Sequence, residues 1–117
     1  MADAALFVGW GPPVRGREQK GLGVFNDALA YWGKQQEAGA IESFDVTLLY
    51  PHGGDLYGFL LIKGSEDQIN ALRGSDEYRR INTRAAQVVE NFGTVDAVSG
   101  DVSDQISLYQ EAVSELA

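Results

Sequence analysis

The apolar positions along the chain follow two spacings, one typical of strands and the other of helices. Short apolar or β-rich runs predict four strands, at residues 4–10, in the two arms of residues 43–63, and at residues 92–99. Apolar residues three and four positions apart predict amphipathic helices at about residues 17–38, 65–89 and 103–116. The apolar stripe of the first helix is Leu22, Phe25, Leu29 and Trp32, and that of the last is Ile106, Tyr109, Val113 and Leu116. The predicted order is therefore strand, helix, strand, strand, helix, strand, followed by an extra C-terminal helix.

Capping signals mark the ends of these helices. Gly39 is placed to end the first helix, and Ser65 with Gln68 matches a capping box at the start of the second. Gly74 interrupts the second helical region, and Ser75 can cap its restart. We therefore expect a break or kink near Gly74.

Residues 43–63 predict the hairpin around which the sheet is organised. Gly53-Gly54 favours a two-residue turn, because both central positions need positive φ and glycine adopts it without penalty. That turn places Leu48 opposite Phe59. One face of the hairpin then carries Phe44, Val46, Leu48, Tyr50, Tyr57, Phe59 and Leu61, and the other carries Thr47, Leu49, Leu56, Leu60 and Ile62.

Both faces of this hairpin are apolar. An antiparallel sheet that is wetted on one face shows an alternation of apolar and polar residues, which is missing here. Right-handed crossovers place both long helices on the same face of the sheet. The other face therefore predicts a partner subunit.

The element order predicts an α+β fold in one domain over residues 1–117. Specifically, it is a ferredoxin-like split βαβ arrangement (β-α-β-β-α-β) with an antiparallel four-stranded sheet and an extra C-terminal helix. In element order and lengths the chain resembles the dimeric α+β barrel superfamily. Residues 72–79, Leu-Arg-Gly-Ser-Asp-Glu-Tyr-Arg, are similar to the leucine, small, serine, acidic, tyrosine, basic segment of its small members. The resemblance implies a homodimer in which two sheets pack face to face.

Charge and composition narrow the choice of partners. The chain has 17 acidic and 9 basic residues, a formal charge of -8 that repels nucleic acid and anionic membranes. The absence of cysteine excludes disulfides and thiolate catalysis. No apolar run reaches the roughly 20 residues that a membrane-spanning helix needs. We therefore expect a cytoplasmic protein with neither nucleic acid nor membrane as partner.

Aromatic residues are the first candidates for a ligand site. Trp10, Trp32, Tyr50 and Tyr57 could line an apolar pocket that carries a few polar groups, although core packing explains the same residues. Arg15 and Arg17, in the loop before the first helix, could hold an anionic group. A solvated loop is the alternative interpretation of these two arginines.

His52 is the single histidine, and so the one candidate for an imidazole base. Its place beside the predicted turn is also typical of a solvated loop residue. His52 and Asp55 offer at most two metal ligands, and Pro12 and Pro13 remove amides that a phosphate-binding loop would need. We expect no metal and no cofactor.

Three functions remain open after these observations. The leading one is a small dimeric protein that binds an apolar or aromatic molecule. The second is a cofactor-independent enzyme of the monooxygenase or isomerase type, in which His52 or a tyrosine moves a proton and Arg15 or Arg17 holds an anionic group. The third is a structural or regulatory dimer without ligand. The superfamily resemblance does not choose among them, because its members have many functions.

Overall fold

A four-stranded antiparallel sheet, covered by helices on one face, forms the body of the protein in the computed structural model, which describes residues 4–116. The strands are Ala4–Trp10 (β1), Ser43–Leu48 (β2), Gly58–Gly64 (β3) and Gly93–Ala97 (β4). The helices are Glu18–Glu37 (α1), Glu66–Arg73 (α2), Asp76–Val88 (α3) and Ser103–Leu116 (α4). The strand order is β2-β3-β1-β4, so the sheet is open with β2 and β4 at its edges. This is the predicted ferredoxin-like topology with its extra C-terminal helix.

The predicted helix ends are confirmed. The Ser65 hydroxyl accepts a hydrogen bond from the Gln68 N–H (3.1 Å), and the Ser65 N–H donates to Oε1 of Gln68 (2.7 Å). Gly74 separates α2 from α3, and the Ser75 hydroxyl caps the second of them. Gly39 follows α1 with a φ of +77°, a conformation that favours glycine.

The predicted tight turn in the β2-β3 hairpin is wrong, and the register differs by one residue. Leu48 pairs with Gly58 rather than with Phe59. Residues 49–57 form a wider connection between the strands, with Gly53 at its centre at a φ of +84°. A turn centred on one residue, rather than on the Gly53-Gly54 bond, shifts every pair by one position.

Side-chain hydrogen bonds explain the wider connection. The Gly54 N–H donates to Nδ1 of His52 (3.2 Å), which places the ring proton on Nε2, and Nε2 donates to the carbonyl oxygen of Leu56 (2.8 Å). Beyond the loop, the Leu49 N–H donates to the Tyr57 carbonyl (2.9 Å). The imidazole thus braces the loop internally.

The corrected register reassigns residues between the two faces, because a one-residue slip turns every side chain over. On the face beneath the helices, the two central strands bury Leu6, Val8, Leu60 and Ile62. Val46 and Leu48 lie on this same face, on the edge strand, and Leu48 is 66% exposed. The predicted grouping of Leu48 with Phe59 is therefore wrong.

The other face, which we call the open face, is also apolar at its centre. Phe7 of β1 and Phe59 of β3 stack there, with ring centroids 5.2 Å apart and planes inclined by 27°. Leu61 lies half-buried beside them, and Val95 of β4 is 56% exposed. The prediction that the hairpin has two apolar faces thus holds with a different assignment of residues.

The core lies between the covered face and helices α1 to α3. Trp32 of α1 is 1% exposed and contacts Tyr31 and Tyr78 edge-on, at centroid distances of 4.9 and 6.2 Å. Tyr31 was not part of the predicted apolar stripe of this helix, whereas Leu22, which was, is exposed. A turn at the end of α1 also buries Ile41.

Helix α4 stands apart from this core. All of its described residues are exposed, including the predicted apolar stripe of Ile106, Tyr109, Val113 and Leu116. The stripe therefore has no docking surface within the described chain. No helix in residues 4–116 combines the length and the apolar character that crossing a membrane requires.

Candidate functional site: an apolar cavity between sheet and helices

A cavity of about 410 Å³ lies between the covered face of the sheet and helices α1 and α3. This volume falls within the range of small-molecule sites in proteins. Most of the lining is apolar, and it includes Val8, Trp10, Phe25, Ala28, Trp32, Leu60, Ile81, Ala85, Val88 and Phe92. The cavity thus adjoins the core cluster without being filled by it.

The indole of Trp10 can lie in the cavity wall because a glycine stands opposite it on the neighbouring strand. Gly58 is the cross-strand partner of Trp10, and a Cβ at Gly58 would lie 2.7 Å from Cζ2 of the indole. The same Cβ would lie 2.9 Å from the carbonyl oxygen of Thr47, a backbone atom that cannot move aside as a flexible side chain can. With Gly58 in place, the indole lies across the strands and contacts the Phe25 ring edge-on at 5.7 Å.

Trp32 is a buried residue of the lining, whereas exposed residues form the mouth of the cavity. Behind Trp32, burial raises the pKa of the Tyr31 hydroxyl. At the mouth, Leu22, Leu48 and Tyr57 are exposed large side chains of the lining. The cavity is therefore accessible from solvent.

The loops at the end of the cavity are fixed by backbone pairing. The Gly11 N–H donates to the Glu90 carbonyl (2.7 Å), and the Val14 N–H donates to the Val88 carbonyl (2.8 Å). Arg17 adds a side-chain bond from its guanidinium to the carbonyl oxygen of Gln87 (2.8 Å). These contacts join the start of α1 to the end of α3 and set the width of the cavity.

Few polar side chains belong to the lining. Glu18 is exposed, and its Oε1 accepts a hydrogen bond from the Gly16 N–H (2.9 Å). Tyr57 brings a phenol to the mouth. Asn82 of α3 is half-buried, and its side chain has no hydrogen-bond partner within residues 4–116.

Sequence reasoning missed Asn82. A signal for it exists, because Asn82 lies one turn after Tyr78 and one turn before Ala85, on the side of α3 that faces inward. An asparagine among the apolar residues of a helix stripe is a polar group that needs an explanation.

The structure brings together three of the predicted ligand-binding residues. Trp10, Trp32 and Tyr57 all lie in the lining of the cavity, on β1, α1 and the connection before β3. Tyr50 is 92% exposed and lies outside the lining. A ligand-binding role stays a prediction for each of them.

Arg15, Arg17 and His52 also lie outside the cavity lining. Both arginines are exposed, and Arg17 is bound to the carbonyl of Gln87 as described above. His52 is exposed, and both of its ring nitrogens bond within its own loop. In the part of the chain that the structure describes, no group of three or more His, Asp or Glu side chains is placed to hold a metal ion.

Comparison with known proteins supports the fold. No protein-family model and no curated protein sequence matches this chain. Among solved structures, it is similar to a dimeric protein of unknown function with a ferredoxin-like fold from Bacteroides fragilis, at 14% identity and a TM-score of 0.60, over 82% of this chain and 96% of that one.

Two further structures extend this comparison. The chain is similar to an ethyl tert-butyl ether d (ethd) family protein from Bacillus halodurans, at 10% identity and a TM-score of 0.60, over 86% of this chain and 99% of that one. SnoaB, a cofactor-independent oxygenase from Streptomyces nogalater, has 16% identity and a TM-score of 0.54, over 86% of this chain and 96% of that one. The resemblance to dimeric ferredoxin-like proteins is thus confirmed at the level of the fold.

Proposed function

We propose that this protein is a homodimer that binds a small apolar or aromatic molecule in the cavity between the sheet and helices α1 and α3. The observation that carries the proposal is that Trp10 and Trp32 both line one solvent-accessible, largely apolar cavity. The core packs over Trp32, which is 1% exposed, but it leaves a space of this size beside both indoles, whereas protein interiors have few voids larger than a water molecule. An aromatic ligand would fill this space and remove apolar wall from water.

The open face supports the dimer. Phe7, Phe59 and Leu61 form an apolar centre on a sheet face that no helix of the described chain covers. Packing the open faces of two copies together would bury these residues in a dimeric α+β barrel, as the sequence predicted. The similar protein from Bacteroides fragilis is described as dimeric.

Ligand binding can be tested through the fluorescence of tryptophan. The chain has 2 tryptophans, and both lie in the cavity lining, so a bound aromatic molecule will change the whole tryptophan signal. We expect saturable quenching on titration with 2-naphthol, together with a higher melting temperature, because a ligand of the native state stabilises it by mass action. Absence of both effects across aromatic probes would favour a structural or regulatory dimer without ligand.

Two neighbouring alanines of α3 provide matched variants. Ala85 lies in the cavity lining, whereas Ala86 is exposed and outside it. Ala85→Phe should fill the cavity and abolish the quenching, while Ala86→Phe should leave it unchanged. Equal binding by both variants would place the ligand elsewhere on the protein.

A cofactor-independent enzyme of the monooxygenase type is the second candidate. It is favoured by the similarity in fold to the oxygenase from Streptomyces nogalater, and Tyr57 and Glu18 are groups of the lining that can carry a proton. Oxygen uptake with bound naphthols that depends on Tyr57, and falls in Tyr57→Phe, would support this candidate. Binding without uptake would favour the binding protein.

A further inference from the structure

The lining of the cavity contains an amide that nothing in the fold uses. Asn82 is half-buried, and its side chain has no hydrogen-bond partner within residues 4–116. Its neighbours in the lining from the same helix, Ile81 and Ala85, are apolar. Neither polar atom of this amide is fully buried, so solvent can reach it. A ligand that displaces this solvent has to offer a polar group in its place, because a desolvated amide is unfavourable without a hydrogen-bond partner.

We infer that Asn82 determines the specificity of the cavity by binding a hydroxyl or carbonyl group of a neutral aromatic ligand. This inference rests on the proposed function and adds a chemical class to it. The amide of asparagine offers both a donor and an acceptor, so it can pair with either group. A hydrocarbon would leave both unpaired.

The charges around the cavity favour a neutral ligand over an anion. Glu18 is an acidic residue of the lining, and the whole chain carries a formal charge of -8. Arg15 and Arg17, the cations that could have held an anionic group, lie outside the lining. A carboxylate in the cavity would therefore lie near the uncharged amide of Asn82 and the negative charge of Glu18, with no cation in the lining to stabilise it.

The cavity is also too large for a single ring to fill. Its volume of about 410 Å³ and its two indoles suit a bicyclic or tricyclic molecule, which can contact both Trp10 and Trp32 while one polar group reaches α3. The ligand class is thus a fused-ring phenol or ketone without charge.

A pair of probes of similar size tests this inference. The affinities of 2-naphthol and 2-methylnaphthalene are measured by tryptophan fluorescence for the unmodified protein and for Asn82→Leu. We expect Asn82→Leu to weaken the binding of 2-naphthol by roughly threefold to tenfold, the effect of one net hydrogen bond. The binding of 2-methylnaphthalene should stay unchanged or become tighter, since leucine is apolar and similar in size to asparagine.

Melting temperatures separate this role from a structural one. Asn82→Leu should melt no lower than the unmodified protein, because the amide makes no hydrogen bond within residues 4–116 that the variant would lose. Thr83→Leu, at an exposed position on the same helix, is the control and should change neither affinity. A third probe, 2-naphthoate, should bind more weakly than 2-naphthol.

The possible outcomes separate the proposed function from the role of Asn82. If neither neutral probe binds the unmodified protein, the proposed function fails. If both bind and Asn82→Leu changes their affinities by the same factor, the cavity binds aromatic molecules but the role of Asn82 is refuted. Tighter binding of 2-naphthoate than of 2-naphthol would refute the preference for a neutral ligand.

Discussion

Replacing Phe59 with aspartate tests the dimer and the hairpin register together. Phe59 lies half-buried at the centre of the open face, stacked on Phe7, and the helices do not contact this face. Phe59→Asp should therefore leave the monomer folded, with the loss of a ring pair worth about 0.5–1.5 kcal/mol. In the proposed dimer, the same change would bury a carboxylate.

The magnitude follows from the symmetry of the dimer. A twofold interface repeats each substitution, so two carboxylates would lie in the dry contact between the sheets. Each buried and unpaired charge costs several kcal/mol, and even about 2 kcal/mol each amounts to roughly 4 kcal/mol of dimer stability. Because about 1.4 kcal/mol corresponds to a factor of ten, the dissociation constant of the dimer should rise about a thousandfold.

Sedimentation equilibrium or light scattering measures this effect. The chain mass is 12.7 kDa, and we expect twice that mass for the unmodified protein and the single-chain mass for a folded Phe59→Asp variant. Leu48→Asp is the matched control, because Leu48 lies on the same hairpin but on the opposite face and is 66% exposed. A monomeric unmodified protein, or a Phe59→Asp variant that still dimerises, would refute the role of the open face. Loss of the dimer in both Phe59→Asp and Leu48→Asp would favour the register predicted from Gly53-Gly54, which places Leu48 and Phe59 on one face.

Three further changes probe the cavity, the core and the loop. Gly58→Ala should displace the indole of Trp10, since its Cβ would lie 2.7 Å from Cζ2, and both the tryptophan emission and the affinity for 2-naphthol should change. Burial raises the pKa of Tyr31, so its contribution to folding is complete below the unfolded tyrosine pKa of about 10 and is lost as the pH rises through the folded value. Urea unfolding between pH 8 and 11 should thus show a smaller alkaline loss of stability in Tyr31→Phe than in Tyr50→Phe, whose phenol is exposed. His52→Ala removes the ring that bonds to Gly54 and Leu56, so it should speed amide hydrogen exchange in the loop of residues 49–57 without changing 2-naphthol binding. Loss of 2-naphthol binding in this variant would instead indicate that His52 takes part in the ligand site.

Local signals in the sequence were sufficient to predict most of the fold. The capping box at Ser65, the break at Gly74 and the left-handed Gly39 each depend on the residues immediately around them, and the structure has all three. The buried residues of α1 were harder to predict, because their burial depends on residues that are distant in the sequence. Tyr31 is buried by residues such as Tyr78 and Trp32, and Leu22 is exposed since it lies at the mouth of a cavity.

The register of the hairpin could not be predicted from its glycines. A pair of glycines favours a two-residue turn, but the bonds of the His52 ring to Gly54 and Leu56 make a wider loop more stable. Those bonds depend on a side chain folding back over its own loop, which no apolar alternation reveals. For the cavity, the composition suggested aromatic residues, but it could not separate Trp10 and Tyr57 from Tyr50, because that separation requires the three-dimensional packing of α1 and α3.

The proposed dimer interface and the cavity lie on opposite faces of the same hairpin. In the observed register, Phe59 and Leu61 of β3 face the open side, while Leu60, between them, lines the cavity. A partner that packs on the open face would therefore press on the strand whose other side forms the cavity floor. Any change that the partner makes in the affinity for ligand is matched by an equal change that the ligand makes in the affinity of the dimer, because coupling between two sites is reciprocal. Dimer dissociation constants measured with and without 2-naphthol would reveal this coupling, and equal values would show that β3 separates the two sites as a rigid wall.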